Sequence, residues 1–160
     1  MPALADHLLR TFAAVPVGSR VLDLGASPHA TALDRLGLEV YACAADGDAL
    51  EALRGVLEEA GRVTAVPRLD ALGYPDAFFD WVVAVEGIPA GALVEVLREA
   101  RRVLVPGGWI YAAAPLATPA ALTAHADAAG LALAEAPRPC GGGSALVRGI
   151  YRRVEPGTPL

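Results

Sequence analysis

The 160-residue sequence contains no lysine, asparagine or glutamine, and all 13 of its basic residues are arginine. The missing lysine removes every chemistry that depends on an ε-amine, including Schiff bases and lysine general bases. The missing amides fit a hot or GC-rich source, since amides deamidate. Cysteine is scarce, and Cys43 and Cys140 have neither C-x-x-C spacing nor histidine neighbours, so zinc is not indicated. Cys43 falls in an apolar run, where a thiol serves as a small hydrophobe. Long apolar stretches are absent too: Trp109 to Pro119 falls well short of the roughly 20 residues that span a bilayer. Asp6, His7 and Arg10 interrupt the first apolar residues, so no signal peptide is visible. A soluble, cytoplasmic protein without a membrane partner is the expectation. Positive charge is thin as well. The net charge is −5, and the two arginine clusters, Arg98/Arg101/Arg102 and Arg148/Arg152/Arg153, read as solvated helix and strand faces. Nucleic acid, which needs clustered cations to displace counterions, is not an expected partner.

What is present is a core-former. The composition is 54 % apolar and 19 % charged, which argues for a packed globule. A chain of this length is most simply one domain, burying about 70 % of its unfolded surface. The reading is a single domain over 1–154 with a short flexible tail, "EPGTPL", over 155–160.

Hydrophobic spacing sets the order of elements. Leu4, Leu8, Leu9 and Phe12 recur at helical spacing, and Pro16-Val17-Gly18 ends that helix. Arg20 to Gly25 reads as a buried strand, followed by a short helix with Ser27 as N-cap and Pro28 at its first position. Gly37 stops it, and Leu38 to Cys43 is a second strand. Asp46 caps the next helix, whose apolar stripe runs from Ala49 to Ala60. Val63 to Val66 and Asp80 to Val85 are strands three and four. From Gly91, a helix carries one apolar face and, opposite, the pairs Glu95/Arg98 and Glu99/Arg102. "VPGG" at 105–108 ends it, and Trp109 to Ala114 is strand five. A helix over about 118–129, a strand over 131–136, the loop "CGGGS" and an alternating strand over 145–153 complete the chain. The glycine loop has no following helix or lysine, so it is a hairpin and not a phosphate cradle. Strands alternating with helices dictate a mostly parallel sheet covered on both faces, with ligands beyond the strands' carboxyl ends.

On these residues the sequence resembles the class I S-adenosylmethionine-dependent methyltransferases, in particular their type 11 group, from about Arg20 to Arg153. "FFDWVVAVEGIPAGALVEVLREARRVLVPGGWIYAAAP", 78–115, is similar to that family's "FD-x-V-V" strand and its "E-x-x-R-V-L-x-P-G-G" passage. "VLDLG" is similar to its first motif, and "RLDALGYPDAFFD" to its adenine-binding stretch. The resemblance implies an α/β, Rossmann-like methyltransferase fold: seven strands, mostly parallel, the last antiparallel, with helices on both faces. It implies S-adenosylmethionine as cofactor and S-adenosylhomocysteine as product. Asp23, Gly25, Ala26, Ser27 and Asp46 would then lie at the cofactor, with Asp70 at the adenine amino group. Two positions depart from the pattern. The family's G-x-G-x-G becomes Gly25, Ser27 and His29, and residues with a Cβ narrow a loop and disfavour positive φ. "G-A-S-P" also resembles the loop of methyltransferases acting on RNA ribose, but those depend on a lysine that this chain lacks. The acidic residue that grips the ribose aligns with Ala44. Losing that charge-assisted bond removes roughly 1.5–3 kcal/mol, or ten-fold or more in affinity.

Methyl transfer from a sulfonium needs alignment above all, and a base only where the acceptor must lose a proton. Glu86 and His29 are the candidate catalytic groups; Tyr74 and Tyr111 read as core or lid aromatics, and His125 is given no role. Few residues precede the first strand and every connection is short. The acceptor, expected to be a small molecule, therefore meets an open cleft unless a dimer mate or partner protein covers it. The alternative is a non-catalytic scaffold protein of the same fold with a degenerate cofactor site. A nicotinamide enzyme would need G-x-G-x-x-G and a later acidic residue, and has neither here.

Overall fold

The computed structural model describes residues 2–55, 57, 62–85, 87–141 and 144–155. The strands are β1 (Arg20–Leu24), β2 (Glu39–Ala44), β3 (Val63–Ala65), β4 (Phe79–Ala84), β5 (Leu104–Pro115), β6 (Leu131–Pro139) and β7 (Leu146–Arg153). The helices are α1 (Pro2–Ala13), α2 (Ala30–Arg35), α3 (Gly47–Leu53), α4 (Leu93–Val103) and α5 (Pro119–Ala128), with a 3-10 turn at Ala90–Ala92. One seven-stranded sheet runs β3-β2-β1-β4-β5-β7-β6. Pairings β1–β2, β1–β4, β2–β3 and β4–β5 are parallel, and β7 lies antiparallel between β5 and β6. This is the expected α/β architecture. The chain leaves β1 for β2 on one side and returns to β4 on the other, which opens a crevice at the carboxyl ends of the central strands.

Two apolar layers hold the sheet. Leu4, Leu8 and Phe12 of α1, with Leu33, Leu50 and Leu53, pack on the face presenting Val21, Val83 and Tyr111. Leu93, Val96, Leu97, Ala100 and Val103 of α4, with Leu122 and Ala126 of α5, cover Leu22, Val82, Ile110 and Ala112. The α4 stripe follows the i, i+3, i+4 spacing that makes one helical face apolar. His7 ties α1 to the far side of the sheet: its Nδ1 shares a 2.7 Å hydrogen bond with the Tyr111 hydroxyl, and its Nε2 lies 3.0 Å from Glu135 Oε1.

Three local expectations change. The third helix stops at Leu53, because Arg54 is extended and Gly55 takes φ +94°, so the stripe beyond it is not continuous helix. Leu57 is still buried, while residues 56 and 58–61 lie outside the described residues. Strand five begins at Leu104, directly after α4, with "VPGG" inside it as a bulge: Phe79 pairs with Leu104, then Trp81 with Trp109. A Cβ on Gly108 would stand 2.9 Å from the Val105 carbonyl and 3.2 Å from that of Asp80, so the bulge closes only around glycine. Of the two arginine pairs expected on α4, Glu99–Arg102 forms, while Arg98 turns to the Ala128 carbonyl at 3.2 Å. Gly142 and Gly143 of the hairpin loop, and 156–160 of the tail, lie outside the described residues; Glu155 pairs with Arg153 at 2.6 Å.

Candidate functional site

The loop after β1 is built around a buried carboxylate. Asp23 and Ser27 are both fully buried. Burying a carboxylate is costly unless donors surround it. The Ser27 N–H donates to Asp23 Oδ2 at 2.8 Å, and the Ser27 hydroxyl donates to the same oxygen at 3.0 Å. Ser27 is therefore not the N-cap expected from the sequence: α2 starts at Ala30 with His29 in the cap position, and Pro28 precedes the helix. The acidic neighbour four residues back takes the hydroxyl inward. The Ser27 oxygen still accepts from the His29 N–H at 3.3 Å. Gly25 and Ala26 carry the turn in the left-handed region, at φ +91° and +50°, and the Gly25 N–H donates to the Cys43 carbonyl at 2.8 Å. Positive φ costs a residue with a Cβ roughly 1–2 kcal/mol, so Ala26 is held there by its surroundings.

Beyond this loop lies a cavity of about 320 Å³ lined by Gly25, Ala26, Pro28, Ala44, Ala45, Asp46, Ala49, Leu69 and Gly87. A second hollow of about 290 Å³ shares Ala45, Leu69 and Gly87 and adds Arg68, Asp70, Pro89, Ala92 and Val96. Cofactor sites start near 300 Å³, so the two adjoining hollows have room for an extended nucleoside ligand. Ser27 and His29 border neither. The Ser27 side chain turns away from the first hollow and folds down onto Asp23. Ala44, at the end of β2, offers no carboxylate. Asp46 lines the first hollow while its Oδ1 caps α3 by accepting the Asp48 N–H at 2.9 Å. Asp70 lines the second hollow, paired with Arg68 at 2.8 Å, and that guanidinium holds its carboxyl below the usual carboxylate range. Glu86 lies outside the described residues.

Sequence reasoning named Gly25, Ala26, Asp46 and Asp70 among the residues that line this edge, but not the rest. Arg68, Leu69, Gly87, Pro89, Ala92 and Val96 were missed. The available signal was position alone, and only for some: Arg68 and Leu69 closely follow the carboxyl end of β3, and Gly87 and Pro89 that of β4, whereas Ala92 and Val96 belong to the start of α4. A larger groove, about 830 Å³, is lined by β3 and the residues that follow it, from Pro67 to Tyr74. It is floored by Glu99 and Arg102, which are bonded to each other, and it touches no central strand end.

Tyr74, Tyr111 and His125 are engaged in packing and local hydrogen bonds. Tyr111 is fully buried in the core, Tyr74 packs edge-on against Phe79 at 5.1 Å, and His125 bonds within its own helix to the Ala121 carbonyl. Burial, and then the charge of Asp23, pushes the Cys43 thiol up to about 12. Among the described residues no cluster of His, Cys, Asp or Glu could hold a metal ion, and no helix is long and apolar enough to cross a membrane.

A family profile described as a methyltransferase domain matches residues 22–112, more than half of the chain. The chain belongs to that family. No curated protein matches it in sequence. The methyltransferase domain is similar in fold to a TehB-like SAM-dependent methyltransferase from Corynebacterium glutamicum, with TM-score 0.69, 17 % identity, and coverage of 93 % of this chain and 87 % of that one. A putative sarcosine dimethylglycine methyltransferase from Galdieria sulphuraria gives TM-score 0.69 and 13 % identity, covering 94 % and 84 %. The [4+2]-cyclase SpnF gives TM-score 0.69 and 16 % identity, covering 94 % and 80 %. At such identities these neighbours establish a class I S-adenosylmethionine-dependent methyltransferase fold, and the cyclase among them shows that the fold alone does not name the reaction.

Proposed function

We propose that this chain binds S-adenosylmethionine in the paired hollows and transfers its methyl group to a small-molecule acceptor, as a cytoplasmic enzyme. The observation that carries the reading is an open crevice at the switch point, lined by glycine, alanine and two carboxylates, with Ser27 turned inward onto Asp23. When bound, the cofactor supplies an already activated methyl on a sulfonium. The chain's own part is to hold and align. Asp23 and Ser27 fix the loop so that Gly25 and Ala26 present their backbone to the cofactor's amino-acid portion. Asp46, at the wall beside Ala44, faces the ribose, and Leu69 and Asp70 flank the adenine. Glu86 and His29 are the acid–base candidates for the acceptor. A dimer mate or partner protein covering the cleft belongs to the same reading.

A thermal-shift titration with S-adenosylhomocysteine tests it. Ligand at 100 times Kd should add about 2.7 kcal/mol, a rise of several degrees at this size. The expected result is a saturable shift; none at millimolar ligand would favour the scaffold reading instead. Two observations support that second reading: Ala44, at the end of β2, offers the hollow no carboxylate, and the Asp46 carboxylate is partly engaged in capping α3.

A further inference from the structure

The segment linking β3 to β4 carries Leu69 and Asp70 into the crevice, and its Leu72 and Tyr74 side chains pack against the core. Val66 N–H bonds to the Ala44 carbonyl, and Ala77 and Phe78 bond to the Arg102 and Val103 carbonyls. Between those anchors, two α4 side chains hold the backbone. The Leu72 N–H donates to Glu99 Oε2 at 2.6 Å, and Arg102 donates to the carbonyls of Leu72 and Tyr74 at 3.0 Å each. Arg102 also reaches Asp76 Oδ1 at 2.6 Å and both Glu99 oxygens. Nε, Nη1 and Nη2 thus use all five N–H groups that a guanidinium owns. The Glu99 side chain is only 12 % exposed.

We propose that Arg102 and Glu99 are positioning residues for the cofactor, clamping the 67–76 loop so that Leu69 and Asp70 stand ready to receive it. The clamp touches no part of the crevice itself and acts through those two residues; it rests on the cofactor reading above. A preordered loop spares the ligand the cost of fixing it on arrival, so the clamp shows in affinity as well as in stability. Lysine cannot replace it, because an ammonium has three donors and no planar fork.

The test is calorimetric titration of S-adenosylhomocysteine into wild type, Arg102→Ala, Arg102→Lys and Arg153→Ala, with thermal unfolding of each. Arg153 is the control: it donates to the Arg101 and Arg102 carbonyls at the end of α4 and does not border the crevice. Arg102→Ala should raise Kd at least ten-fold, with Arg102→Lys recovering only part of the loss. Arg153→Ala should lower Tm yet leave Kd within two-fold. Equal Kd in wild type and Arg102→Ala, or equal losses in Arg102→Ala and Arg153→Ala, overturns the proposal. If Arg102→Ala does not fold, Glu99→Gln takes its place, with a Kd at least three-fold higher expected and an unchanged Kd refuting. If wild type itself binds no ligand, the cofactor reading fails. Amide exchange at Leu72 then decides the clamp: at least ten-fold faster exchange in the variant supports it, and unchanged exchange overturns it.

Discussion

Replacing Ser27 by glycine brings the loop closer to the G-x-G-x-G pattern that it resembles, and it should make the protein worse. Ser27 and Asp23 are both fully buried, and the serine hydroxyl donates to the carboxylate at 3.0 Å. A hydrogen bond to a charged group contributes about 1.5–3 kcal/mol, and its loss here leaves the carboxylate with the Ser27 N–H as its remaining donor from that residue. Glycine adds about 0.5–1 kcal/mol of lost backbone restriction. Ser27→Gly should therefore destabilise by about 2–4 kcal/mol, a fall in Tm of about 5–12 °C for a domain of this size. Ser27→Ala separates the two effects and should cost about 1.5–3 kcal/mol alone. Thermal unfolding by circular dichroism at pH 7 reads the stability, and an S-adenosylhomocysteine titration reads the site. Because the serine side chain does not border either hollow, Ser27→Gly should bind no more tightly than wild type. A variant with unchanged Tm, or one binding ten-fold more tightly, would refute the account of this loop as a carboxylate-anchored turn.

Ala26→Gly should act in the opposite sense, raising stability by about 1 kcal/mol in a urea titration by relieving the φ of +50°; destabilisation would show that the alanine methyl is needed for packing. Gly108→Ala forces a Cβ to 2.9 Å from the Val105 carbonyl, and should cost about 2 kcal/mol or more, measured the same way. The Glu99 carboxyl is held below its ordinary value first by its hydrogen bonds from Arg102. Its contribution to stability is therefore complete above the usual carboxylate range and is lost as pH falls through the lowered value. Unfolding free energies from pH 7 down to 3 should fall less steeply in Glu99→Gln than in wild type, and parallel curves would contradict this. Cys43, fully buried with its thiol pushed up to about 12, should resist iodoacetamide until the protein unfolds.

Much of the fold is legible in the residue order because the forces behind it are local. The α4 stripe and the alternation of strand and helix each act within a few residues, so periodicity reports them directly. The ligand edge follows from the same alternation, since a parallel sheet with crossovers on both faces has its crevice beyond the central strand ends. The site was read less well. Ser27 looked like a helix cap, and a cap is what a serine before proline and an apolar run normally makes. What overrode it was a buried carboxylate whose burial depends on the whole sheet.

The sequence by itself determined the architecture and the small-residue character of the crevice, through spacing, turn chemistry and the absence of lysine. Only the tertiary structure decided which donors meet which acceptors. His7 finds Tyr111 across 104 positions, and Arg102 gathers a loop 26 to 30 residues away. The reason is that a polar side chain carries no periodicity: its partner is chosen by where burial leaves a group in need of a hydrogen bond, and burial is known only once the chain has closed on itself.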